Sequence, residues 1–314
     1  MTDVGHYRAV AVMAAAIMVS CLLALVVASE PVRAAFPGTA GAIAFTSNRG
    51  TVVAQIYRMN ADGFGQTKLT DTPGYNLVPE WSAGGGLIAF TNSQAFGSAE
   101  IYLMNADGSN EYALTFDPAY DAETAWFPRE DKIAFTSDRT GNSDIYVADL
   151  DGLGDIELTR RITTSTSQDT DIATSPDGER LAFRRGDDVY VMKAEREGPD
   201  NRPVRLTRIG VNGQPDWSPS GTQITFVSGR SGNIEVYRMK PFPEGRGNRP
   251  VNLSKNPARE EHPVWSPDGK KIAFTSERSG NADIWRMRAS DGANQVNLTN
   301  NPAADRNPSW QPIP

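Results

Sequence analysis

The chain has 314 residues, of which 39% are hydrophobic, so it can bury a sizeable core, and a single all-β domain of this length is allowed. It carries 31 Lys and Arg residues against 38 Asp and Glu residues, a net charge of −7. This balance argues against a nucleic-acid-binding protein whose affinity comes from a basic surface.

The first predicted element is an apolar segment of 21 uncharged residues, 9–29. The small residues Val32 and Ala34 suit signal peptidase, so we predict a signal peptide over residues 1–34 that is cleaved after Ala34. The alternative is an uncleaved membrane anchor, because at ~1.5 Å per residue the run could span a bilayer. Both interpretations place residues 35–314 in the periplasm or outside the cell.

A repeated motif of four parts follows. The first part is Pro-x-Trp-Ser-Pro-x-Gly or a remnant of it, and the second is an apolar run with a Phe. The third resembles Asp-Ile-Tyr-x-Met, and the fourth is a Leu followed by Thr or Ser. The second part begins at six positions that lie 45, 45, 48, 43 and 48 residues apart: Ile43, Ile88, Ile133, Leu181, Ile224 and Ile272. We therefore predict six copies of four short strands each.

The connections between the parts favour antiparallel strands. Ser-Pro-Asp-Gly at 266–269 suits a type I turn, so the first and second parts should form a hairpin. Asn-Ala-Asp-Gly at 60–63 and 105–108 should join the third and fourth parts in the same way. Four antiparallel strands repeated at this period are typical of a β-propeller blade. The predicted fold is an all-β, six-bladed propeller over residues 35–314.

The two ends of the repeat array predict how the ring closes. The first copy begins at its second part, Ile43, whereas the last part of the sequence is an unpaired Pro-Ser-Trp-Gln-Pro that contains Trp310. If this C-terminal strand joins the N-terminal blade, the ring closes with six complete blades and no exposed partner strand. We expect packing between blades for the five tryptophans at this position: Trp81, Trp126, Trp217, Trp265 and Trp310.

The copy at 263–292, P-V-W-S-P-D-G-K-K-I-A-F-T-S followed by D-I-W-R-M and D-G, resembles the TolB-type propeller repeat. Similar copies cover residues 43–311, without the Gly-His and Trp-Asp signatures of WD repeats. The resemblance implies a TolB-like, periplasmic or secreted propeller that binds an envelope-associated protein partner. We expect the α/β domain of TolB to be absent, since only eight residues separate the predicted cleavage site from the first strand.

Two sets of mostly polar residues precede the Pro-x-Trp positions, and all of them except the apolar Val78 are the candidate ligand-binding residues. The first set lies three residues before the Pro or its equivalent: Asn76, Asp121, Asp169, Asn212, Glu260 and Asp305. The second set lies one residue before it: Val78, Glu123, Asp171, Gln214, His262 and Asn307.

Propeller ligands commonly lie at the central channel, where the outer strand of one blade leads into the inner strand of the next. If these loops converge, the two sets form a ring of oxygen acceptors at the channel mouth. Such a ring could bind a cationic peptide or N-terminus, or a calcium ion at Asp121, Asp169 and Asp305. The alternative is that each Asp or Asn caps its own loop through an Asx turn.

The sequence offers few parts for catalysis. His262 is the only histidine of residues 35–314, and the only cysteine, Cys21, lies in the predicted signal peptide. Ser-His and Cys-His chemistry therefore lacks its residues. A glycan-active hydrolase or lyase would need only two carboxylates, such as Asp121 and Glu123, and is the alternative function. We predict a monomeric, non-enzymatic module that binds a protein or peptide, with membrane contact only through an uncleaved anchor.

Overall fold

The computed structural model describes residues 37–95, 98–151 and 154–314. The signal peptide and the anchor predicted in residues 1–34 lie outside these residues. Within the described part of the chain, no helix is both long enough and apolar enough to cross a membrane.

The described residues form short strands joined by turns. The first eight strands are β1 (Thr39–Ser47), β2 (Gln55–Met59), β3 (Thr67–Lys68), β4 (Tyr75–Trp81), β5 (Leu87–Ala95), β6 (Ser98–Asn105), β7 (Tyr112–Ala113) and β8 (Asp121–Trp126). The next eight are β9 (Lys132–Ser137), β10 (Asp144–Leu150), β11 (Ile156–Arg161), β12 (Asp169–Thr174), β13 (Arg180–Arg185), β14 (Asp188–Lys193), β15 (Val204–Arg205) and β16 (Asn212–Trp217). The last eight are β17 (Ile224–Ser228), β18 (Glu235–Met239), β19 (Val251–Asn252), β20 (Glu260–Trp265), β21 (Lys271–Ser276), β22 (Asp283–Arg288), β23 (Val296–Asn297) and β24 (Asp305–Ile313).

These strands form six four-stranded antiparallel sheets, which are the blades of a propeller. Blade 1 has the order β24, β1, β2, β3, and blades 2 to 6 take strands β4 to β23 in consecutive groups of four. The first strand of each blade is the inner one. β24 pairs with β1, with Trp310 opposite Ile43, so the C-terminal strand completes the N-terminal blade. The predicted fold and the predicted closure are both confirmed.

The core lies between the blades. Among the described residues there are six apolar clusters, and each joins two neighbouring blades. In one of them Ile101 and Leu103 of blade 2 pack with Trp126 and Phe135 of blade 3. The cluster that joins blades 6 and 1 contains Trp310. All five tryptophans of the Pro-x-Trp positions are buried, which agrees with the predicted packing role.

Candidate functional site

The first set of predicted residues lies at the start of the inner strands, and all six side chains are buried. Four of them are acids, and each contacts an arginine of its own blade. Arg139 Nη2 lies 2.7 Å from Asp121 Oδ2, and Arg278 Nη2 lies 2.9 Å from Glu260 Oε2. The other two acidic pairs are Arg185 with Asp169 and Arg49 with Asp305.

The same arginines lie over the aromatic rings of their blades. In blade 3 the guanidinium carbon of Arg139 is 5.5 Å from the ring centre of Phe135 and 4.9 Å from that of Tyr146. Arg278 has the same relation to Phe274 and Trp285 in blade 6. Each acid therefore fixes an arginine that lies over aromatic rings of its own blade, which is a structural role.

The two amides of the first set are also satisfied within the protein. Asn212 Nδ2 donates to the Gly210 carbonyl at 2.7 Å, and its Oδ1 accepts from Arg230 Nη2 at 3.1 Å. Asn76 Nδ2 donates to Gln55 Oε1 at 2.9 Å and to the Thr72 carbonyl at 3.0 Å. These donations to carbonyl oxygens differ from the Asx turns of the alternative interpretation. In blade 2, Gln94 occupies the position that holds arginine in blade 1, and Asn92 donates to Asn76 Oδ1 at 2.6 Å.

The calcium site expected at Asp121, Asp169 and Asp305 does not form in this arrangement. The three carboxylates belong to three blades and each is bound to a different arginine. Across residues 37–95, 98–151 and 154–314, no group of three or more His, Cys, Asp or Glu side chains could hold a metal ion. The residues present therefore do not fit a calcium ion.

The second set lies at the propeller axis because every inner strand has a β-bulge. In blade 5, for example, the register shifts between Gly213 and Asp216. All six residues of the set have a positive φ, between 48° and 54°. This conformation is costly for residues other than glycine, and a bulge turns a side chain away from the regular alternation of the strand. All six residues line one axial cavity of about 140 Å³. We call these six residues the axial belt: Val78, Glu123, Asp171, Gln214, His262 and Asn307.

Hydrogen bonds link the axial belt from blade to blade. Backbone N–H groups donate from Asp171 to Glu123 Oε2 at 2.7 Å, from Gln214 to Asp171 Oδ2 at 3.0 Å, and from His262 to Gln214 Oε1 at 2.8 Å. Gln214 Nε2 also lies 2.9 Å from His262 Nε2. These bonds satisfy donors that the bulges would otherwise leave unpaired.

In the other half of the ring, threonines of the preceding blade replace these side chains. The backbone N–H groups of Val78, Glu123 and Asn307 donate to the hydroxyls of the preceding blades at 3.1 to 3.2 Å: Thr46, Thr91 and Thr275. Blades 4 and 5 have Arg184 and Val227 at this threonine position. Asp171 and Gln214 therefore supply the acceptor that these two blades lack.

Two carboxyl groups of the cavity wall were missed by the sequence analysis. Glu80 and Asp216 occupy the middle position of Pro-x-Trp, next to tryptophans that were read only as core residues. Burial, and secondly the charge of Asp216, raises the pKa of Glu80 to about 8. Burial raises the pKa of Asp216 to about 7, although the Trp265 N–H donates to its Oδ2 at 2.7 Å. Both side chains keep contact with the cavity, so they are desolvated but reachable.

Two titratable members of the axial belt are also perturbed by burial. Burial and the neighbouring charge of Asp171 raise the pKa of Glu123 to about 7. Burial lowers the pKa of His262, which favours the neutral ring. At neutral pH the imidazole of His262 is thus neutral, and the carboxyl groups of Glu80, Glu123 and Asp216 are partly protonated.

The axial cavity reaches toward the side of the ring where the inner strands end. Its lining includes Pro219 and Pro267, which lie in the turns after β16 and β20. A second cavity of about 530 Å³ shares these two prolines and Trp265, and it is also lined by Pro37 and Gly38. We call this side the turn face. The sequence predicted a ligand at the channel mouth where loops lead into the inner strands; the cavity is lined by the second set of these residues and by none of the first set.

The repeat array matches a known family: the family model described as the TolB beta propeller domain matches residues 65–205 and 200–313. No curated protein matches the chain. Among solved structures, TolB from Acinetobacter baumannii is 22% identical with a TM-score of 0.73, over 87% of this chain and 67% of that chain.

Two further structures show how widely the fold is shared. A chain of a nidogen/laminin complex is 11% identical with a TM-score of 0.66, over 87% of this chain and 98% of that chain. A puromycin-hydrolyzing peptidase of Mycobacterium tuberculosis is 14% identical with a TM-score of 0.52, over 85% of this chain and 54% of that chain. The chain thus spans about half the length of the peptidase. At these identities the similarity shows the fold alone.

Proposed function

Because the chain belongs to the TolB beta propeller domain family, we propose that it is a non-enzymatic binding module. In this proposal it acts outside the cytoplasm and holds a protein or peptide partner at the axial cavity. The family gives the scaffold, and the cavity gives the position of the ligand.

The observation that carries the proposal is the composition of the axial cavity. All six blades contribute to its lining, so its shape depends on the closed ring. Its walls combine apolar surface from prolines and tryptophans with a few polar groups, among them Gln214, Asp171 and Glu80. A concave, mostly apolar site with a few placed polar groups is the usual form of a binding pocket. The polar groups are mainly acceptors, which suits a segment that brings hydrogen-bond donors or positive charge.

The alternative of a glycan-active enzyme has less support from the geometry. It was based on carboxylates at the channel mouth, with Asp121 and Glu123 as the example pair. Asp121 is buried against Arg139 and does not line the cavity, whereas Glu123 does. The peptidase among the similar structures has only about half of its length in common with this chain. We therefore propose binding alone.

A peptide-binding experiment with a matched pair of variants tests the proposal. Peptides are selected from a random display library on the purified chain, and their dissociation constants are measured by fluorescence polarisation. Val264 lines the axial cavity, whereas Val251 lies on an outer strand and is 48% exposed. We expect Val264→Trp to weaken binding at least ~10-fold, a loss of about 1.4 kcal/mol, and Val251→Trp to leave it within about twofold.

Val264→Leu provides a smaller step in case the tryptophan disturbs the fold, and thermal unfolding of each variant reports folding. Binding that is unchanged in every Val264 variant would overturn the proposal, and so would a library that yields no binding peptide.

A further inference from the structure

We propose that Glu80 and Asp216 form a cation site for one ammonium or guanidinium group of the bound segment, reached from the turn face. This inference rests on the proposed function, since it names the chemistry that one part of the axial cavity would bind. The site is called the cation site below.

The first argument is the position of the two carboxyl groups. Glu80 is in the inner strand of blade 2 and Asp216 is in that of blade 5, so three steps around a six-bladed ring separate them and they lie on opposite walls. Both occupy the middle position of Pro-x-Trp, which puts them at the same depth along the axis. A single cation on the axis can therefore interact with both.

The second argument is that the carboxyl groups have no cationic partner in the protein. Within residues 37–95, 98–151 and 154–314, none of the ion pairs includes Glu80 or Asp216. The acids of the first set, by contrast, all have an arginine. Both carboxyl groups accept a hydrogen bond, Glu80 from Ser309 and Asp216 from the backbone N–H of Trp265. Neither is paired with a positive charge, and a desolvated carboxylate without one is costly, so a pair open to a cavity points to a charge supplied from outside.

Tryptophans in the cavity wall provide reporters for the site. Trp217 and Trp310 line the same cavity and are 3% and 4% exposed. Their Nε1–H groups have no hydrogen-bond partner, a property shared with Trp81 and Trp285, which do not line the cavity. The indole groups therefore do not identify a ligand by themselves, but they lie where a bound cation would change their surroundings.

The route to the site is the turn face. The cavity that shares Pro219, Trp265 and Pro267 with the axial cavity is the larger of the two, at about 530 Å³ against about 140 Å³. It can hold the body of a segment while one basic group extends inward. The other titratable groups on the axial cavity are Glu123, Asp171 and His262, and they belong to the axial belt.

Binding of a cation must be linked to proton release. The pKa values of Glu80 and Asp216 are raised to about 8 and about 7, so both carboxyl groups are partly protonated at neutral pH. A cation favours the ionised forms and expels these protons. Affinity should therefore rise as the pH increases from 6 to 8, about tenfold for each full proton released per pH unit.

The test uses a small probe in place of the unidentified partner. n-Butylammonium is titrated into the ¹⁵N-labelled chain and the indole N–H signals of Trp217 and Trp310 are followed by NMR, with n-butanol as the neutral probe of the same shape. We expect saturable shifts with n-butylammonium only, lost in Glu80→Gln and Asp216→Asn. The matched controls Glu157→Gln and Asp200→Asn change exposed acids and should leave the shifts intact. Half-saturation should occur at a lower concentration at pH 8 than at pH 6.

Three results would overturn the inference. These are no saturable shift with n-butylammonium, equal shifts with n-butanol, or a calcium ion that saturates the same signals at a tenfold lower concentration. The probe needs no partner, so a failure here, alongside peptide binding that is sensitive to Val264, would remove the cation site and leave the proposed function. Saturable ammonium binding without any peptide binding would leave the cation site and remove the proposed function.

Discussion

At the scale of single residues, the carboxyl groups of this propeller fall into two classes that look alike in the sequence. Asp121 and its equivalents are each fixed by an arginine, whereas Glu80 and Asp216 face the axial cavity without one. Burial raises the pKa of the carboxyl group in both classes. What separates the classes is the arginine partner.

Replacing Glu80 by Gln should stabilise the protein at pH 8 and change little at pH 5. The pKa of Glu80 is about 8 in the folded state and its ordinary value is 4.5, so between these values the folded state holds more protons than the unfolded state. Stability from this group is therefore lost as the pH rises from about 5 to 8. Since each pKa unit corresponds to about 1.4 kcal/mol, and cavity water reduces the effect, we expect a gain of at least about 1 kcal/mol at pH 8. Urea unfolding at both pH values measures it.

The exposed Glu157→Gln serves as the control and should show no difference between the two pH values. An equal change in the Glu80→Gln variant at pH 5 and pH 8 would show that the carboxyl group is not desolvated.

Replacing Arg139 by Ala should destabilise the protein strongly. It leaves Asp121 buried without its partner and removes the guanidinium that covers Phe135 and Tyr146. Removing one member of a buried ion pair typically costs about 3 kcal/mol or more. Chemical unfolding of Arg139→Ala, with the exposed Arg129→Ala as control, gives the value. A further Asp121→Asn change should recover part of the loss, and a double variant no more stable than Arg139→Ala would contradict the pairing.

At the scale of elements, the inner strands carry the site because each has a bulge. The bulge gives the axial belt residues φ values near +50° and turns them to the axis. The strand positions and turns could be predicted, because the Pro-Asp-Gly turns and the alternating apolar residues recur in each copy. The bulges could not be predicted, because proline follows the belt residue in only some blades. Where it is missing, after Glu123 and Asp171, the local sequence gives no signal of the positive φ.

This difference explains which candidate residues were placed correctly by reasoning from the sequence. All six residues of the second set line the axial cavity, and their role in ligand binding stays a prediction. The first set, two residues earlier, lies at the ordinary start of the strand, and its four acids each pair with an arginine. Glu80 was missed because its neighbour Trp81 marked the position as core.

Val78 is the axial belt residue whose backbone conformation should be the most costly in free energy. It is β-branched, has a φ of 50°, and its side chain makes no hydrogen bond to the next blade. Asn tolerates this conformation better, so Val78→Asn should raise the free energy of unfolding by about 1 kcal/mol.

Gln214→Gly should instead destabilise the protein, because the His262 N–H loses its acceptor. Urea unfolding compares both with Val52→Asn at a residue that is 95% exposed; a destabilised Val78→Asn would argue against stored strain.

At the scale of the whole molecule, the ring is held by the pairing of β24 with β1 and by the six clusters between blades. The six-fold repeat and the closure were predictable, because the first copy lacks its inner strand and the last strand is unpaired. The axial cavity was not predictable from the sequence, because it arises only where six bulged strands meet.

Truncation after Asn307 should therefore destabilise the entire propeller and not only blade 1. It removes Trp310 from the cluster between blades 6 and 1 and exposes the edge of β1. Because burial of one large aromatic side chain is typically worth about 3 kcal/mol or more, we expect a large loss of cooperative stability in urea. Removal of the exposed Pro314 alone is the control. A truncated chain with the full unfolding transition intact would show that the ring does not depend on this strand.

The central claim is that the axial cavity is where this propeller binds its partner. The most direct test is photo-crosslinking of a library-selected peptide that carries a diazirine, followed by mass spectrometry of the crosslinked chain. We predict crosslinks to residues on the cavity wall at the turn face, Trp217, Pro219, Trp265 and Pro267. Crosslinks confined to outer strands such as β19 or β23 would contradict the account and would move the binding surface to the rim of the ring.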